Sequence, residues 1–320
     1  NLLKNSKNFT LTTDLQEGLN FSDYIYILVQ TPNGGGRNFY DHTILSNLLY
    51  KINSYKPKNK HFIIGCTVMP KYLDTIAKEL IKDCDNSNLL YNPEFVAQGE
   101  IIKGFSNSSI ILIGSNSKSI GTEPISMLMN IYKDMGHNMR KVKLMSLLEA
   151  EVVKIGLNGY ITTKLSYANM ISDVCDEYKI NKFTVLDAIG SDSRIGNNYF
   201  KPGFSFGGPC FPRDTRALKQ VIDNLGINTE LLKGTTSYND YHVLYQTNQL
   251  LKQNKHEYIC ENVCYKEKSD INIIEESAKL KIACNLLEHG KKVIIKDKRL
   301  VVDEVRKAYG NIFSYIITDQ

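Results

Sequence analysis

The chain has 320 residues, 42% of them hydrophobic and 23% charged, with a formal net charge of +5. That length exceeds what one core usually serves, so two or three domains are expected, and the composition excludes a disordered or fibrous chain. No apolar run reaches the roughly 18 residues of a membrane span, and the opening NLLKNSKNFT lacks the apolar core of a signal peptide.

A cytoplasmic protein with no membrane partner is therefore expected. The positive excess is small and shows no basic stripe interleaved with aromatics, which argues against nucleic acid and suits small anionic ligands such as nucleotides. The seven cysteines (Cys66, Cys84, Cys175, Cys210, Cys260, Cys264 and Cys284) are odd in number and irregularly spaced. They predict neither a disulfide framework nor a metal site, and most of them are expected in the core.

The first third alternates strand and helix signals. YIYILV (Tyr24 to Val29) predicts a strand ending in the turn TPNGGG. A helix follows, with Asp41 placed to cap it and Ile44, Leu45, Leu48, Leu49 and Ile52 at helical spacing. HFIIGCTV predicts a strand, KYLDTIAKELI a helix and SSIILIG a further strand. Strands alternating with helices imply a parallel sheet covered on both faces.

From about Ser146 to Tyr178 one long helical pattern runs without proline, weakened locally by Gly156 and Gly159. Beyond it lies KPGFSFGGPCFPRDTRAL, a stiff loop in which glycines and prolines present Cys210. The last part alternates again: YICENVCYK as strand, ESAKLKIACNLLEHG as helix closed by Gly290, KKVIIKDK as strand, DEVRKAY as helix and FSYIITD as strand. The expected fold class is α/β, with two Rossmann-like parallel-sheet domains joined by a central helical domain. Boundaries are expected near 1–135, 136–232 and 233–320.

Lys154 and Asn158 stand four apart on the long helix and so share a face, where an ammonium and a carboxamide could donate to charge developing on an oxygen. No G-x-G-x-x-G follows any strand.

Four stretches, LLYNPEFVAQGEIIKGF, EAEVVKIGLNGYITTKLSYANMI, IGSDSRIGNNYFKPGFSFGGPCFPRD and SYNDYH, follow one another as in the nucleotide-sugar 6-dehydrogenases. The chain resembles that family, the UDP-glucose branch above all, over most of its length. The resemblance implies oxidation of a primary alcohol to a carboxylate by two hydride transfers to NAD, through a thiohemiacetal and a thioester on Cys210. It implies UDP-glucose as substrate, with GDP-mannose as the rival that DSRIG argues against.

By the same resemblance Asp214 acts in proton transfer, and Lys154 with Asn158 holds the substrate oxygen. Glu94 is the base for thioester hydrolysis, and Thr67 orients water. Arg194 would reach a neighbouring subunit's sugar site, so a homodimer is implied. Phe95, Tyr199, Phe204, Phe206, Gly207 and Lys266 would line the substrate pocket, and Thr31, Pro32, Thr67, Gln98, Cys210 and Arg213 would face the cofactor.

The chain departs from the family pattern at Pro209, Gln98 and Arg213, where Ser, Glu and Lys are usual, and at Glu275, which with Glu276 and Ser277 stands where R-E-S would place an NAD-contacting arginine. A carboxylate there would repel a pyrophosphate. The family's opening strand, turn and helix, with on the order of 60 residues, would precede the first residue here, so the chain is expected to be part of a longer polypeptide. Two other readings stay open: a non-catalytic descendant that binds a nucleotide sugar, and a cysteine hydrolase. The hydrolase needs a histidine base, yet His42, His61, His137, His242, His256 and His289 lie in no nucleophile motif.

Overall fold

The computed structural model describes residues 9–96, 99, 101–116, 122–266 and 271–318. The chain divides into two compact units, 1–154 and 155–320.

The first unit opens with α1 (Leu15–Phe21), capped by the Asp14 carboxylate, and β1 (Tyr24–Ile27). Helix α2 (Thr43–Ser54) follows, then β2 (His61–Ile64), a π-helical turn (Tyr72–Ala77) running into α3 (Lys78–Leu80), and β3 (Asn88–Tyr91). The remainder is α4 (Ile101–Ser106), β4 (Ile111–Ser115), α5 (Glu123–Asp134) and β5 (Val142–Met145). The five strands form one sheet in the order β1-β2-β3-β4-β5. The expected parallel pairing holds for β1–β2, β2–β3 and β4–β5, while β3 and β4 run antiparallel.

Helix α2 packs Leu45, Leu49 and Ile52 against the sheet through the predicted stripe; Ile44, at its edge, stays exposed. Asp41 sits one residue earlier than a strict cap, and its carboxylate accepts the Thr43 N–H and hydroxyl. The helix predicted over KYLDTIAKELI is tightly specified but not a plain α-helix. Lys71 takes a left-handed φ of 77°, and the turn that follows widens to π geometry. Its opening N–H groups, from Lys71 and Leu73, donate to the two carboxylate oxygens of Glu151 at 2.7 and 2.8 Å. Such orphan donors need an acceptor, and here a carboxylate from a distant helix supplies it.

Helix α6 (Leu147–Glu177) is the predicted long helix, 31 residues without interruption, and the division between the units falls inside it. The second unit continues with α7 (Lys182–Ser191), α8 (Phe211–Asn224) and α9 (Glu230–Leu251). A three-stranded parallel sheet closes it: β6 (Glu257–Glu261), β7 (Lys292–Lys298) and β8 (Ser314–Thr318), with α10 (Ala278–Glu288) and α11 (Arg299–Tyr309) between. Side chains of α6 and α9 meet in parallel register, Thr163 with Thr235 and Glu177 with Gln249. Among the described residues no helix is long and apolar enough to cross a membrane.

The strand expected across YICENVCYK ends at Glu261. Asn262 adopts φ 52°, the Val263 N–H donates to the Asp297 carboxylate at 2.8 Å, and the Val263 carbonyl accepts the Ser277 hydroxyl. Side chains claim the backbone there, so Cys264 lies in a loop outside the sheet.

Glu151 is fully buried, and that burial pushes its carboxyl up to about 7. An unfolded carboxyl loses its proton near the ordinary value while the folded one keeps it, so stability falls as pH rises from about 4.5 to 7 and levels off above that. Urea unfolding of the chain at pH 5 and pH 7.5 is expected to show this loss. Glu151→Gln is expected to flatten the slope and to cost ~1–3 kcal/mol at pH 5, because an amide donor would face the Leu73 N–H.

Candidate functional site

The predicted site residues fall into both units, and each unit holds its own set. In the first, parallel β1 and β2 end side by side, so the loops leaving their carboxyl ends meet. The buried Thr31 hydroxyl donates to the Thr67 carbonyl at 2.8 Å, and the neighbouring Pro32 is exposed. The Thr67 segment is further fixed by the Met69 N–H donating to His42 Nε2 at 3.2 Å. Burial holds that imidazole down to about 4, keeping it a neutral acceptor. The turn TPNGGG forms as predicted, with Gly35 and Gly36 at positive φ.

A second cluster of the first unit follows β3. Asn92 is locked by three hydrogen bonds: its side-chain oxygen accepts the Tyr26 and Tyr132 hydroxyls, both at 2.7 Å, and its nitrogen donates to the Leu112 carbonyl at 2.8 Å. That anchor sets the path of Pro93, Glu94 and Phe95. The Lys154 ammonium, nearly buried, donates to the Glu94 carbonyl oxygen and lies 4.4 Å from the Phe95 ring centre. Burial raises the Glu94 carboxyl above the usual range, and Lys154 only partly offsets it. Glu94 is thus a half-buried carboxyl that holds its proton more tightly than a surface one. Gln98 lies outside the described residues.

In the second unit Cys210 is the N-cap residue of α8, with Pro212 in the first turn. Of the seven thiols Cys210 is the exposed one. Burial pushes Cys84, Cys260 and Cys264 up to about 11 and moves Cys66 and Cys284 upward as well. Cys210 instead stands where helix N–H groups and the positive end of the dipole favour an anion.

One turn into α8, Asp214 is 2% exposed; its Oδ2 accepts the Asn158 amide at 2.6 Å and its Oδ1 the Arg213 Nε at 3.3 Å. The crossing of α6 over α8 makes this pairing possible. A side chain at Gly159 would collide with Leu218, so glycine lets the helices close, and Thr162 bonds Thr215 at 2.9 Å beside it. The glycine that weakened the helical pattern lies next to Asn158, at the crossing where the Leu218 side chain comes close.

The loop before Cys210 is laced on both sides. Asn169 and Asn239 bond the backbone of residues 203–206, and Phe206 is buried. A Cβ on Gly207 would strike the Glu276 carbonyl, and Gly208, at φ 81°, lies against the Tyr265 ring. Phe204 is partly exposed beneath the Lys279 ammonium, 4.9 Å from its ring centre. Tyr199, at φ 58°, meets the Phe211 edge at 6.1 Å, and Lys266 is half-buried beyond Tyr265. Arg194 is exposed and forked onto Asp192, with its shortest contact at 2.6 Å.

Glu276, next to the Glu275 that stands where the family has arginine, is paired locally. Burial works to raise its carboxyl, but Lys281 at 2.7 Å and Arg216 at 3.0 Å together hold it below the usual range. Glu275 is exposed, and its carbonyl accepts the Gly208 N–H. Sequence reasoning missed Asn92, Asn169, Asn239 and Tyr265 as supports of the site. Asn92, Asn169 and Asn239 lie inside quoted motifs, whereas nothing local marks Tyr265.

Residues 2–136 match the NAD binding domain, and residues 148–241 the central domain, of the UDP-glucose/GDP-mannose dehydrogenase family. The chain belongs to that family. It is 28% identical over 252 residues to the UDP-glucose 6-dehydrogenase TuaD of Bacillus subtilis, covering 77% of this chain and 52% of that protein. Against the UDP-glucose 6-dehydrogenase of Rickettsia bellii it is also 28% identical, covering 71% of this chain and 51% of that one. The chain thus spans about half the length of the curated relatives it matches. In fold it is similar to a UDP-glucose dehydrogenase from Pyrobaculum islandicum, with a TM-score of 0.84 at 24% identity over 96% of this chain and 71% of that one. A UDP-D-ManNAc dehydrogenase from Pyrococcus horikoshii aligns with a TM-score of 0.71 at 21% identity, over 89% and 68%.

The paired threonines fit one side of a dinucleotide site, since ligands of open α/β sheets bind beyond the carboxyl ends of the strands. Among the described residues no glycine fingerprint joins a strand to a helix, so the part of such a site that cradles the pyrophosphate is not built from them.

Asn158→Ala removes the donor from a buried carboxylate oxygen, an expected loss of ~1–3 kcal/mol by urea unfolding. Asn158→Asp, which sets two carboxylates together, is expected to cost more; equal midpoints for all three proteins would deny the pairing.

Proposed function

We propose that this chain carries the catalytic cysteine of a UDP-glucose 6-dehydrogenase, oxidising the C6 alcohol of UDP-glucose to a carboxylate with NAD. The observation that carries the reading is Cys210: an exposed thiol on a helix N-terminus, one turn before a buried carboxylate that Asn158 and Arg213 hold in place. UDP-glucose is preferred over GDP-mannose because of DSRIG and because the Bacillus subtilis and Rickettsia bellii relatives carry that name.

The residues divide the work as follows. The proton of the C6 hydroxyl passes to water held by Asp214, while Lys154 and Asn158 donate to the oxygen left behind. NAD, when bound, accepts one hydride in each of two oxidations; Thr31, Pro32 and Thr67 would contact it, with Gln98, Cys210 and Arg213 toward the reacting end. The Cys210 thiolate adds to the aldehyde carbon, forming a C–S bond and a thiohemiacetal, and loss of the second hydride leaves a thioester. Water, oriented by Thr67 and deprotonated by Glu94, breaks the C–S bond and returns the thiolate. The raised carboxyl of Glu94 suits a base that must hold and release a proton. Per sugar, two NAD are reduced, one water is consumed and three protons are released.

Phe95, Tyr199, Phe204, Phe206, Gly207 and Lys266 are assigned to the substrate. Arg194, extended into solvent on its Asp192 fork, is assigned to the sugar of a neighbouring subunit, which makes a cytoplasmic homodimer part of the proposal. The parts at 1–135, 136–232 and 233–320 are assigned to cofactor, dimerisation with the cysteine loop, and nucleotide sugar.

The test uses the full translated protein with UDP-glucose and NAD, following NADH. Two NADH per sugar are expected, and no more than one with Cys210→Ser, because the aldehyde forms before the thiol adds; nucleotide-sugar binding by the unaltered protein without NADH would leave a non-catalytic descendant instead. With Glu94→Gln, acyl transfer to Cys210 is expected to survive while hydrolysis slows by roughly 100-fold or more, trapping a thioester visible by mass spectrometry. In the unaltered protein the rate is expected to rise with pH through a limb lying above the ordinary carboxylate range, as Glu94 loses its proton.

A further inference from the structure

His242 belongs to none of the roles above, yet it is 2% exposed and bonded through both ring nitrogens. Its Nε2 lies 2.9 Å from the Gly203 carbonyl oxygen and its Nδ1 lies 2.8 Å from Asp173 Oδ2. A carbonyl oxygen can only accept, so Nε2 must carry a proton and donate it. The Asp173 carboxylate is 6% exposed, and its Oδ2 also accepts the Tyr238 hydroxyl at 2.6 Å. Asp173 stands on α6 and His242 on α9, so the pair spans the two helices and aims one N–H at the loop between them.

That loop is the approach to Cys210, and its polar backbone has no strand or helix to join. Gln246 Nε2 adds a second donor to the Gly203 carbonyl at 3.1 Å, and the Gly203 N–H donates to Asn169 at 3.1 Å. Further along, Asn239 accepts the Phe206 N–H at 2.8 Å and donates to its carbonyl at 3.1 Å. Gly207 and Gly208 then pass under Glu276 and Tyr265 with no room for a side chain. An apolar residue of similar volume would pack this position without burying polar groups. A buried polar pair is weak ground for stability, and what it sets is geometry.

We propose that His242, oriented by Asp173, is a positioning residue that holds the residue 203–208 backbone in the path that delivers Cys210. The inference rests on Cys210 as the reacting thiol. A carboxylate and a carbonyl can only accept, so both ring nitrogens donate, and the Asp173 carboxylate holds the ring with its Nε2–H turned to the loop.

Hydrogen exchange of the peptide covering 200–209, measured by mass spectrometry, separates packing from hydrogen bonding. His242→Phe keeps the volume and deletes the donor. It is expected to speed exchange in that peptide by roughly tenfold or more, with helix peptides of α6 and α9 unchanged. The double variant Asp173→Asn with His242→Gln restores a donor to Gly203, backed by an amide in place of the carboxylate, and is expected to return exchange to within about threefold of the parent. In the NADH assay His242→Phe is expected to lower kcat with KM for NAD within about twofold.

Parent-like protection in the Phe variant, or a double variant as unprotected as the Phe variant, would overturn the inference. If the Phe variant does not fold, 15N spectra of the imidazoles in the unaltered protein decide instead. A protonated, slowly exchanging Nε2 on His242 supports the inference, and an unprotonated one ends it. Absence of NADH from the unaltered protein would defeat the proposed function and leave the exchange result standing on its own.

Discussion

Every backbone N–H and C=O that leaves water needs a partner, and the stretch from Gly203 to Gly208 passes from an exposed start to a buried end without entering a helix or a strand. The demand is met by side chains: Asn169 from α6, Asn239, His242 and Gln246 from α9, and the Glu275 carbonyl from the loop before α10. Once those bonds are made, the start of α8 has little freedom, and Cys210 inherits its position from them. The same demand explains the spacing of polar residues along α6. Thr162, Ser166, Asn169, Ser172 and Asp173 are all buried, on a helix that an apolar stripe alone would not have taken through this unit.

Elements whose pattern is local were legible. The α2 stripe, the 31-residue helix, and the strands and helices of the last part formed where periodicity placed them, within a few residues at their ends. Elements decided at a distance were not. The π-helical turn after β2 depends on Glu151, about eighty residues away. The early end of β6 depends on Asp297 and Ser277, and the antiparallel step from β3 to β4 has no signature in either strand. In the candidate site, Cys210, Asp214 and Asn158 could be picked out by motif, and the structure brings Asn158 to Asp214 and Lys154 to the Glu94 segment. Their supports escaped because an asparagine or tyrosine holding a carbonyl looks, in a linear sequence, like any other polar residue.

Charge follows the same division between local and distant. The departure at Glu275 looked hostile to a phosphate when read as sequence, and the pairing of the carboxylate next to it, Glu276, was not visible there. Arg216 lies sixty residues from Glu276 and Lys281 only five, and between them they cancel one of the two charges. Glu94 and Glu151 show the opposite case. Burial outweighs the donors around each of them, so both hold protons more tightly than surface carboxylates do.

Six of the seven thiols in this chain are at least partly covered, and for five of them burial favours the protonated form. A thiol kept protonated is a poor nucleophile, and peroxides, like alkylating reagents, react with thiolates. The selectivity that an active site would build around one sulfur therefore also makes that sulfur the chain's point of oxidative damage. Among the thiols a peroxide would find Cys210 the most open, and a sulfenic acid there would silence it without disturbing the core.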